Sequence, residues 1–429
     1  MAAYKNLKTI NPAPFSPEDA DCSKEYIPRS LCCGVVDTAS LYLHIPFCAS
    51  FCDYCDFYSE EITAQAGRID AYIEALLTDI EYQLAFFNVK KIPSIYIGGG
   101  TPSVIGAFRM ENFLAKLQRL FTVTGNILPQ EFTVEANPES LTEDFLRICL
   151  AGGVTRISLG LQSFHEPSRR AVNRKGEACF IKTQLALTAR YYPDNFSVDL
   201  MSGLPFQNKA VLLNDIEQTL TFKPAHLSLY SLTVEDETPL AQNLTRGINK
   251  EFFPAFDETD ALWLCGREAL CKAGYEHYEV SNFAMPAKRC AHNTRYWRME
   301  NWLGAGPAAS GTIIDEKTGT GKRYTYTADL DAYLAAPKPA FQSAVVEELD
   351  KAALIKESLL MGFRFCGGPD MENFKRRFGR SIEECIPQTI RRWKERGVFI
   401  NGADTLVPCG KMLLVLDSFL RDAFIELDN

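Results

Sequence analysis

The hydrophobic pattern from residue 41 onward switches between two periods, and this switching predicts the fold class. Short β-branched and aromatic runs predict six strands, at 41–45, 94–98, 131–136, 155–160, 196–201 and 226–230. Between them, apolar residues recur at i, i+3, i+4 and i+7 and predict helices at about 69–87, 105–120, 141–151, 178–190, 208–221 and 257–273. Strands that alternate with helices form parallel βα units. The pattern therefore indicates an α/β protein, built either as a barrel or as an open doubly wound sheet.

The pattern changes on both sides of this core, which we place at 41–255. Residues 1–40 are aperiodic and are expected to form a poorly ordered extension. Residues 256–340 extend the core and contain an aromatic- and Gly-rich stretch, 275–311, with two short strand candidates and no clear helix. The last part, 341–429, follows a linker and is predicted to be a small helical domain.

This last domain has helical patterns at about 348–363, 370–379 and 382–397, followed by a final helix at the end of the chain. The Asn401-Gly402 pair, after the third pattern, is a strong hairpin signal. Three helices and a hairpin resemble a winged-helix module. The domain carries the basic clusters 375–380 and 391–396, which make DNA binding an alternative for this domain.

Composition and charge exclude several classes of function. The net charge of −9 argues against a nucleic-acid binder, and the two basic clusters are interpreted as solvated faces. The longest apolar run, about Met412–Leu416, is far shorter than the roughly 20 residues that span a bilayer. The first residues lack the apolar region and cleavage site of a signal peptide, so we expect a cytoplasmic protein.

Three of the fourteen cysteines, Cys48, Cys52 and Cys55, lie at ligand-like spacing in the sequence HIPFCASFCDYC. Zinc sites usually use two C-x-x-C pairs, or one such pair with distant histidines, although His44 is a candidate fourth ligand. A cluster of buried thiols is a second alternative. The pattern favours a third, a [4Fe–4S] cluster held by three thiolates, which leaves one iron open to a small molecule.

Polar and glycine residues stand where the predicted strands end. Gly98, Gly99, Gly100 and Thr101 follow the second strand, and glycines let the backbone approach a ligand closely. Glu135, Gln162 and Asp199 each end a separate strand, at the rim that carries the active site in βα barrels. Arg174 follows Gln162 by twelve residues, so a short helix would return its guanidinium to this rim, where it suits a carboxylate.

These residues carry a family resemblance. C-x3-C-x2-C directly after the first strand, with Tyr54 before the last cysteine, resembles the signature of radical S-adenosylmethionine (SAM) proteins. The combination YLHIPFC, IYIGGGTPS, VEANPES, ISLGLQSF, VDLMSGLP and YEVSNFA resembles the oxygen-independent coproporphyrinogen III oxidases and their paralogues, the HemW-type heme chaperones. The resemblance implies a partial (βα)6 barrel, a [4Fe–4S] cluster on Cys48, Cys52 and Cys55, and a SAM pocket. It implies that this pocket is lined by Tyr42, Tyr54, Gly98, Gly99, Gly100, Thr101, Glu135, Gln162, Arg174 and Asp199.

Two features favour the chaperone branch of this family. The oxidases carry an additional cysteine two residues after the third ligand, where this chain has Phe57. The chaperones carry an H-N-x-x-Y-W motif, present here as His292, Asn293, Tyr296 and Trp297. Because a histidine can ligate heme iron, the resemblance implies that His292 binds heme. One departure is Ser310, which replaces a histidine that is common in the chaperones.

The favoured hypothesis is therefore a heme chaperone that passes heme to apo-hemoproteins. It leaves open a homodimer and a peripheral contact with the membrane. The alternative is a SAM-dependent oxidase that decarboxylates coproporphyrinogen III, and the sequence assigns no catalytic residue for it. A third hypothesis, a zinc- or thiol-based redox sensor without a tetrapyrrole, remains open.

Overall fold

The computed structural model describes residues 36–62, 66–125, 129–337, 339–400, 406–408 and 412–429. Within them the strands are β1 (Ser40–Ile45), β2 (Phe47–Cys48), β3 (Glu60–Glu61), β4 (Ser94–Gly99), β5 (Glu131–Ala136), β6 (Arg156–Gln162), β7 (Phe196–Ser202), β8 (His226–Ser231), β9 (Glu276–His277), β10 (Asn282–Ala284), β11 (Trp302–Ala305), β12 (Ser310–Asp315), β13 (Thr320–Thr325) and β14 (Val345–Leu349).

The helices of the same residues are α1 (Ala66–Phe86), α2 (Ala107–Thr124), α3 (Glu143–Ala151), α4 (Glu166–Ala171), α5 (Ala178–Tyr191), α6 (Lys209–Leu220), α7 (Pro239–Thr245), α8 (Phe256–Lys272), α9 (Ala291–Trp297), α10 (Leu330–Ala335), α11 (Lys351–Gly362), α12 (Met371–Phe378), α13 (Ile382–Cys385), α14 (Pro387–Glu395) and α15 (Met412–Leu427). Short 3-10 helices lie at Pro102–Ile105, Lys250–Phe252 and Ala340–Ser343. None of these helices is long and apolar enough to cross a membrane.

Six parallel strands form the core of a twelve-stranded sheet, in the order β1-β4-β5-β6-β7-β8. All six predicted strands are confirmed. A doubly wound sheet would reverse the strand order at a switch point. Here each strand instead pairs with the next one of the core along the chain, which is the order of a βα barrel, so the partial barrel is confirmed.

The sheet extends beyond the barrel on both sides. On the β1 side, β11 adds a seventh parallel strand, followed by antiparallel β12, β13 and β14. On the β8 side, β10 and β9 pair antiparallel. The sequence predicts two short strands somewhere in 275–311, where β9, β10 and β11 lie, but it does not predict β13 and β14, which come after that stretch.

Side-chain alternation sorts the strand residues into two sets. In β4, Ile95 and Ile97 belong to the large hydrophobic core, whereas Tyr96 and Ser94 point to the other face. The same alternation turns Glu135 and Asp199 to the face shared by Tyr96. A second core lies in the C-terminal helices and is built from residues such as Leu354, Phe363, Phe374, Trp393 and Phe419.

Two expectations about element boundaries were wrong. The stretch 275–311 contains the unpredicted helix α9, whose first N–H groups, of Ala291 and His292, donate to the carboxylate of Glu131. The single helix expected at 382–397 is two helices, α13 and α14. Pro387 begins the second, because proline fits the first turn of a helix but interrupts its interior.

The predicted extension and hairpin lie mostly outside the described residues. Residues 1–35 and the Asn401-Gly402 pair belong to the parts that the structure does not describe. Residues 36–40, which we expected to be poorly ordered, are instead attached to the core, because Val36 is buried and its N–H donates to Phe87 O at 3.1 Å. On either side of the hairpin position, Ile400 N–H donates to Val407 O at 3.0 Å.

A buried polar network joins α1 to the sheet extension. The carboxylate of Asp79 accepts hydrogen bonds from Tyr326 Oη (2.6 Å), Tyr333 Oη (2.9 Å) and the N–H of Phe341 (2.7 Å). One turn later, Gln83 donates to Gly304 O at 3.1 Å. Helix α1 thereby holds strand β11 and the residues after β13 in place, next to the strand that leads to the cysteines.

We expect Asp79→Ala to lower the free energy of unfolding by about 3–5 kcal/mol, because three buried donors lose their acceptor. The measurement is urea unfolding followed by circular dichroism. The matched control is Asp331→Ala on α10, whose carboxylate is exposed and pairs with Arg68 at 2.6 Å; its loss should stay under about 1 kcal/mol. Equal midpoints for the two variants would contradict the role of the network.

Candidate functional site

The three cysteines lie on a loop that is closed at its base and attached to the barrel. Cys48 ends β2, which pairs in parallel with β3. Within the loop, Cys55 N–H donates to Cys52 O at 3.1 Å. The loop contacts the end of α4, where Asp53 N–H donates to Val172 O at 3.0 Å. All three thiols are free and partly buried, at the carboxyl end of the barrel strands.

The glycine loop after β4 lies directly against the cysteine loop. Gly100 N–H donates to Ile45 O at 2.9 Å, and Thr101 N–H donates to Phe47 O at 2.7 Å. The Thr101 hydroxyl is 3.6 Å from Cys48 Sγ. A Cβ at Gly100 would lie 2.6 Å from Phe47 O, so only glycine allows the two loops to approach this closely.

Two buried carboxyl groups stand at the rim of the barrel. Glu135 accepts from Tyr96 Oη at 2.6 Å and from Gly99 N–H at 3.3 Å. Burial, with the nearby charge of Asp199, raises the pKa of Glu135 to about 7. Burial also raises the pKa of Asp199 to about 6, against a hydrogen bond from Ser228 and the charge of Arg174.

Arg174 joins the cysteine loop to the barrel rim. Its guanidinium donates to Cys52 Sγ at 3.5 Å, to Asn137 Oδ1 at 2.8 Å and to Gly160 O. Burial opposes its charge, but Tyr54, Cys52 and Glu139 together raise its pKa above the usual value. The prediction that a short helix returns Arg174 to the rim is confirmed by α4.

Gln162 lies beside Arg174 on a bulge of β6. The bulge between Gly160 and Gln162 gives Gln162 a φ of +70°. A Cβ on Gly160 would meet Asn137 Oδ1 (2.8 Å), Arg174 Nη2 (3.2 Å) and Gln162 Nε2 (3.3 Å), so three polar groups converge there. Within the described residues, Gln162 Oε1 and Arg174 Nε are buried without a hydrogen-bond partner.

Two tyrosines of the expected pocket have different surroundings. Tyr42 lies on β1, stacks near Tyr96 with ring centroids 6.4 Å apart, and bonds His44 Nδ1 at 3.0 Å. Tyr54 is partly buried on the cysteine loop and packs against the cluster of Val172, Met201, Leu204 and Leu240. Burial raises the pKa of both phenols.

His44 does not join the cysteines as a metal ligand in this structure. Its Nε2 donates to Tyr58 O at 2.9 Å, so its Nδ1 accepts the hydroxyl proton of Tyr42. Both ring nitrogens are therefore used. Burial lowers the pKa of His44 to about 4, which keeps the ring neutral.

His292 lies at the opposite end of the barrel from the cysteines. Its Nδ1 is 3.0 Å from the hydroxyl of Ser94, the first residue of β4, and its Nε2 is 2.9 Å from Tyr296 Oη. The side chain is 1% exposed, and burial lowers its pKa to about 3. The ring of His292 packs on Tyr96 with centroids 5.2 Å apart, and Tyr96 in turn bonds Glu135 at the carboxyl-end rim. Because both ring nitrogens of His292 are hydrogen-bonded, this arrangement leaves no nitrogen free to ligate heme.

Three site residues were missed by the sequence reasoning. Tyr96 follows from the alternation in β4, since it shares a face with Gly98. Asn137 directly follows the strand that carries Glu135, and Glu139 pairs with Arg169 at 2.9 Å. Of the three, only Glu139 joins the site through a contact with a distant segment, and no local sequence pattern indicates that contact.

The raised pKa of Glu135 predicts a pH dependence of stability. The folded pKa is about 7 and the ordinary value is 4.5, so ionising the carboxyl destabilises the fold. Its contribution to stability is therefore lost as the pH rises from about 4.5 to 7, by at most about 3 kcal/mol. Glu135→Gln keeps the shape without the titration, so the free energy of unfolding of wild type relative to this variant should fall over that range.

Urea unfolding of cluster-free protein at a series of pH values measures this difference. Glu143→Gln is the control, because Glu143 is an exposed partner of Arg190 and Tyr191. A difference between wild type and Glu135→Gln that stays constant with pH would contradict the burial argument.

Known proteins share both halves of this architecture. Residues 42–221 match the model of the Radical SAM superfamily, and residues 349–405 match the model of the HemN C-terminal domain. The fold is similar to that of coproporphyrinogen III oxidase (HemN) from Escherichia coli, with a TM-score of 0.75 over 92% of this chain and 91% of that one. The two are 20% identical, so this likeness shows the fold alone.

Curated relatives are similar along most of the chain. The protein named heme chaperone HemW from Lactococcus lactis subsp. lactis (strain IL1403) is 34% identical over 351 residues, which cover 82% of this chain and 88% of that protein. The heme chaperone HemW from Bacillus subtilis (strain 168) is 29% identical over 87% of this chain and 96% of its own. The chain therefore belongs to the radical SAM superfamily and, within it, to the family of proteins named heme chaperone HemW.

Proposed function

We propose that this protein is a heme chaperone, which binds heme and transfers it to apo-hemoproteins, and that it holds a [4Fe–4S] cluster and SAM. The observation that carries the proposal is the similarity to the heme chaperone HemW of Lactococcus lactis, because it extends over 88% of that protein. It therefore includes both the barrel and the C-terminal helices. Phe57, at the position of the additional oxidase cysteine, supports the same branch; it is 58% exposed beside the cysteine loop.

Cys48, Cys52 and Cys55 would hold the cluster, as the family implies. The loop fits this role because its base is fixed by β2 and β3, and because its three thiols have no disulfide partner. Burial raises the pKa of Cys55 to about 11, so metal binding would have to displace a proton from this thiol. When bound, such a cluster supplies an electron for the reduction of SAM.

The polar groups beside the cysteines fit the amino-acid part of SAM. Gln162 Oε1 and Arg174 Nε lack partners within the described residues, and the guanidinium of Arg174 suits a carboxylate. Glu135 and Asp199, with raised pKa values, would be stabilised as anions by a positively charged ligand group. Gly98 to Thr101 complete the same rim.

The alternative function is oxidative decarboxylation of coproporphyrinogen III. The fold is shared with an oxidase at a TM-score of 0.75, so the barrel itself does not separate the two functions. Phe57 separates them, because it cannot supply the sulfur that the oxidase branch has at this position. Homodimer formation and a peripheral membrane contact are further parts of the proposal.

We expect reconstituted Cys52→Ser protein to lose the brown cluster absorbance together with most of its bound iron and sulfide, because one of three thiolates is gone. Iron and sulfide content after anaerobic reconstitution measures this. Cys179→Ser is the control, because Cys179 is a free and exposed cysteine on α5, and it should reconstitute like wild type. A normal spectrum for Cys52→Ser would disprove the ligand assignment.

We also expect reconstituted protein with SAM, a reductant and coproporphyrinogen III to form no protoporphyrinogen IX under anaerobic conditions. Quantifying 5′-deoxyadenosine and protoporphyrinogen IX in the same samples tests this, with hemin titration of the same preparation alongside. Protoporphyrinogen formed over many turnovers would make the protein an oxidase despite Phe57. Absence of hemin binding would refute the chaperone.

A further inference from the structure

All five histidines lie in the described part of the chain, and among them only His165 has a ring nitrogen that is neither hydrogen-bonded nor fully buried. His44, His277 and His292 use both ring nitrogens in hydrogen bonds. His226 bonds Tyr278 through Nε2, and its Nδ1 is buried. His165, in the loop between β6 and α4, is half-buried and is bonded only through Nδ1.

The hydrogen bonds of Ser168 fix which nitrogen of His165 carries the proton. Ser168 Oγ donates its one proton to Pro205 O at 2.6 Å, since a carbonyl oxygen can only accept. The contact of 2.9 Å between Ser168 Oγ and His165 Nδ1 therefore has Nδ1–H as the donor. His165 Nε2 keeps its lone pair, which is the arrangement found in histidines that ligate metals.

The protonation state and position of His165 are also fixed. Burial, with the charge of Arg170, lowers its pKa, so the ring stays neutral at physiological pH. Its backbone N–H donates to Ser163 Oγ at 2.9 Å, and the buried Asp215 in turn accepts from that hydroxyl at 2.6 Å. A ligand held this firmly loses little conformational freedom on binding.

Phe206, the residue after Pro205, forms an exposed aromatic pair with Phe252. Phe206 and Phe252 stack with centroids 4.1 Å apart and planes at 24°, and they are 37% and 40% exposed. Phe206 has a φ of +60°, a left-handed conformation that strains a bulky residue. Its N–H donates to Phe252 O at 2.7 Å, which holds this conformation. The fold thus keeps a flat apolar surface in solvent.

We propose that His165 Nε2 ligates the heme iron and that the Phe206–Phe252 pair, which Ser168 links to His165 through Pro205, packs against the porphyrin. The exposed guanidinium of Arg170, which lies 3.6 Å from Glu166 and whose charge acts on His165, would exchange this partner for a propionate. His165 follows the carboxyl end of β6, and α4 leads from it to Val172, which accepts from Asp53 N–H of the cysteine loop at 3.0 Å. The inference rests on the proposed heme binding and assigns its ligand to this rim, away from His292.

Hemin titration of full-length protein, read by the Soret band and by the spin state of the iron in electron paramagnetic resonance, tests the assignment. We expect His165→Ala to weaken hemin binding at least tenfold and to change the spin state, with added imidazole restoring the wild-type spectrum. His165→Gln should show the same weaker binding and the same change of spin state as His165→Ala. Because its amide can still donate to Ser168, such a loss would reflect the missing iron ligand and not a folding defect. Phe206→Ala should weaken binding severalfold without changing the spectrum.

His277→Gln is the matched control, because His277 is a partly buried histidine with both nitrogens bonded, and it should bind hemin as wild type does. Wild-type affinity and spectrum in both His165 variants would overturn this inference while the proposed chaperone function stands. The inference would also be overturned if His292→Gln folds and loses the wild-type hemin spectrum while the His165 variants keep it. Wild-type protein that binds no hemin would overturn both proposals.

Discussion

The parallel pairing of six strands in chain order is the constraint on which the rest of the molecule depends. Because all six point the same way, every carboxyl end lies on one rim, and residues as distant in sequence as Gly98, Glu135 and Asp199 meet there. The same constraint sends every amino end to the other rim, where Ser94 and Glu131 meet His292. Tyr96 connects the two ends, because its ring packs on His292 at 5.2 Å and its hydroxyl donates to Glu135 at 2.6 Å.

The buried carboxyl groups at the two ends of the barrel differ in how far their charge is compensated by partners. At the amino ends, the carboxylate of Glu131 accepts from the backbone N–H groups of Ala291 and His292 and pairs with Arg156 at 3.4 Å. At the carboxyl ends, burial raises the pKa of Glu135 and Asp199, and Arg174, whose charge acts on Asp199, is engaged with Cys52 and Asn137. At the amino ends, the carboxylate of Glu131 is thus fully paired within the protein. At the carboxyl ends, the anionic forms of Glu135 and Asp199 would be stabilised by a bound cationic group, as expected of the functional end of a βα barrel.

Sequence reasoning succeeds here wherever local pattern decides the outcome. The six core strands, the three cysteines and the rim positions of Glu135, Gln162 and Asp199 follow from periodicity and spacing. It fails where a distant segment supplies the missing partner. Helix α9 has seven residues and no side-chain cap of its own, and its first N–H groups depend on Glu131, about 160 positions earlier. The paired strands β2 and β3 have two residues each, too few to show a period in the sequence, and they pair where the two ends of the cysteine loop meet.

The H-N-x-x-Y-W motif shows why a shared motif does not by itself identify a ligand. His292 bonds Ser94 and Tyr296, the ring of Tyr296 packs on Trp302 at 5.0 Å, and Trp297 packs against the cluster of Tyr278, Ala284 and Phe365. Packing at the amino-terminal rim thus accounts for these three residues without heme. Ligation requires a nitrogen whose lone pair is free and can be reached, and that depends on the hydrogen bonds of each ring. In this chain His292, which the motif indicates, has both ring nitrogens bonded. His165, which belongs to no motif, is bonded only through Nδ1 and keeps the lone pair of Nε2.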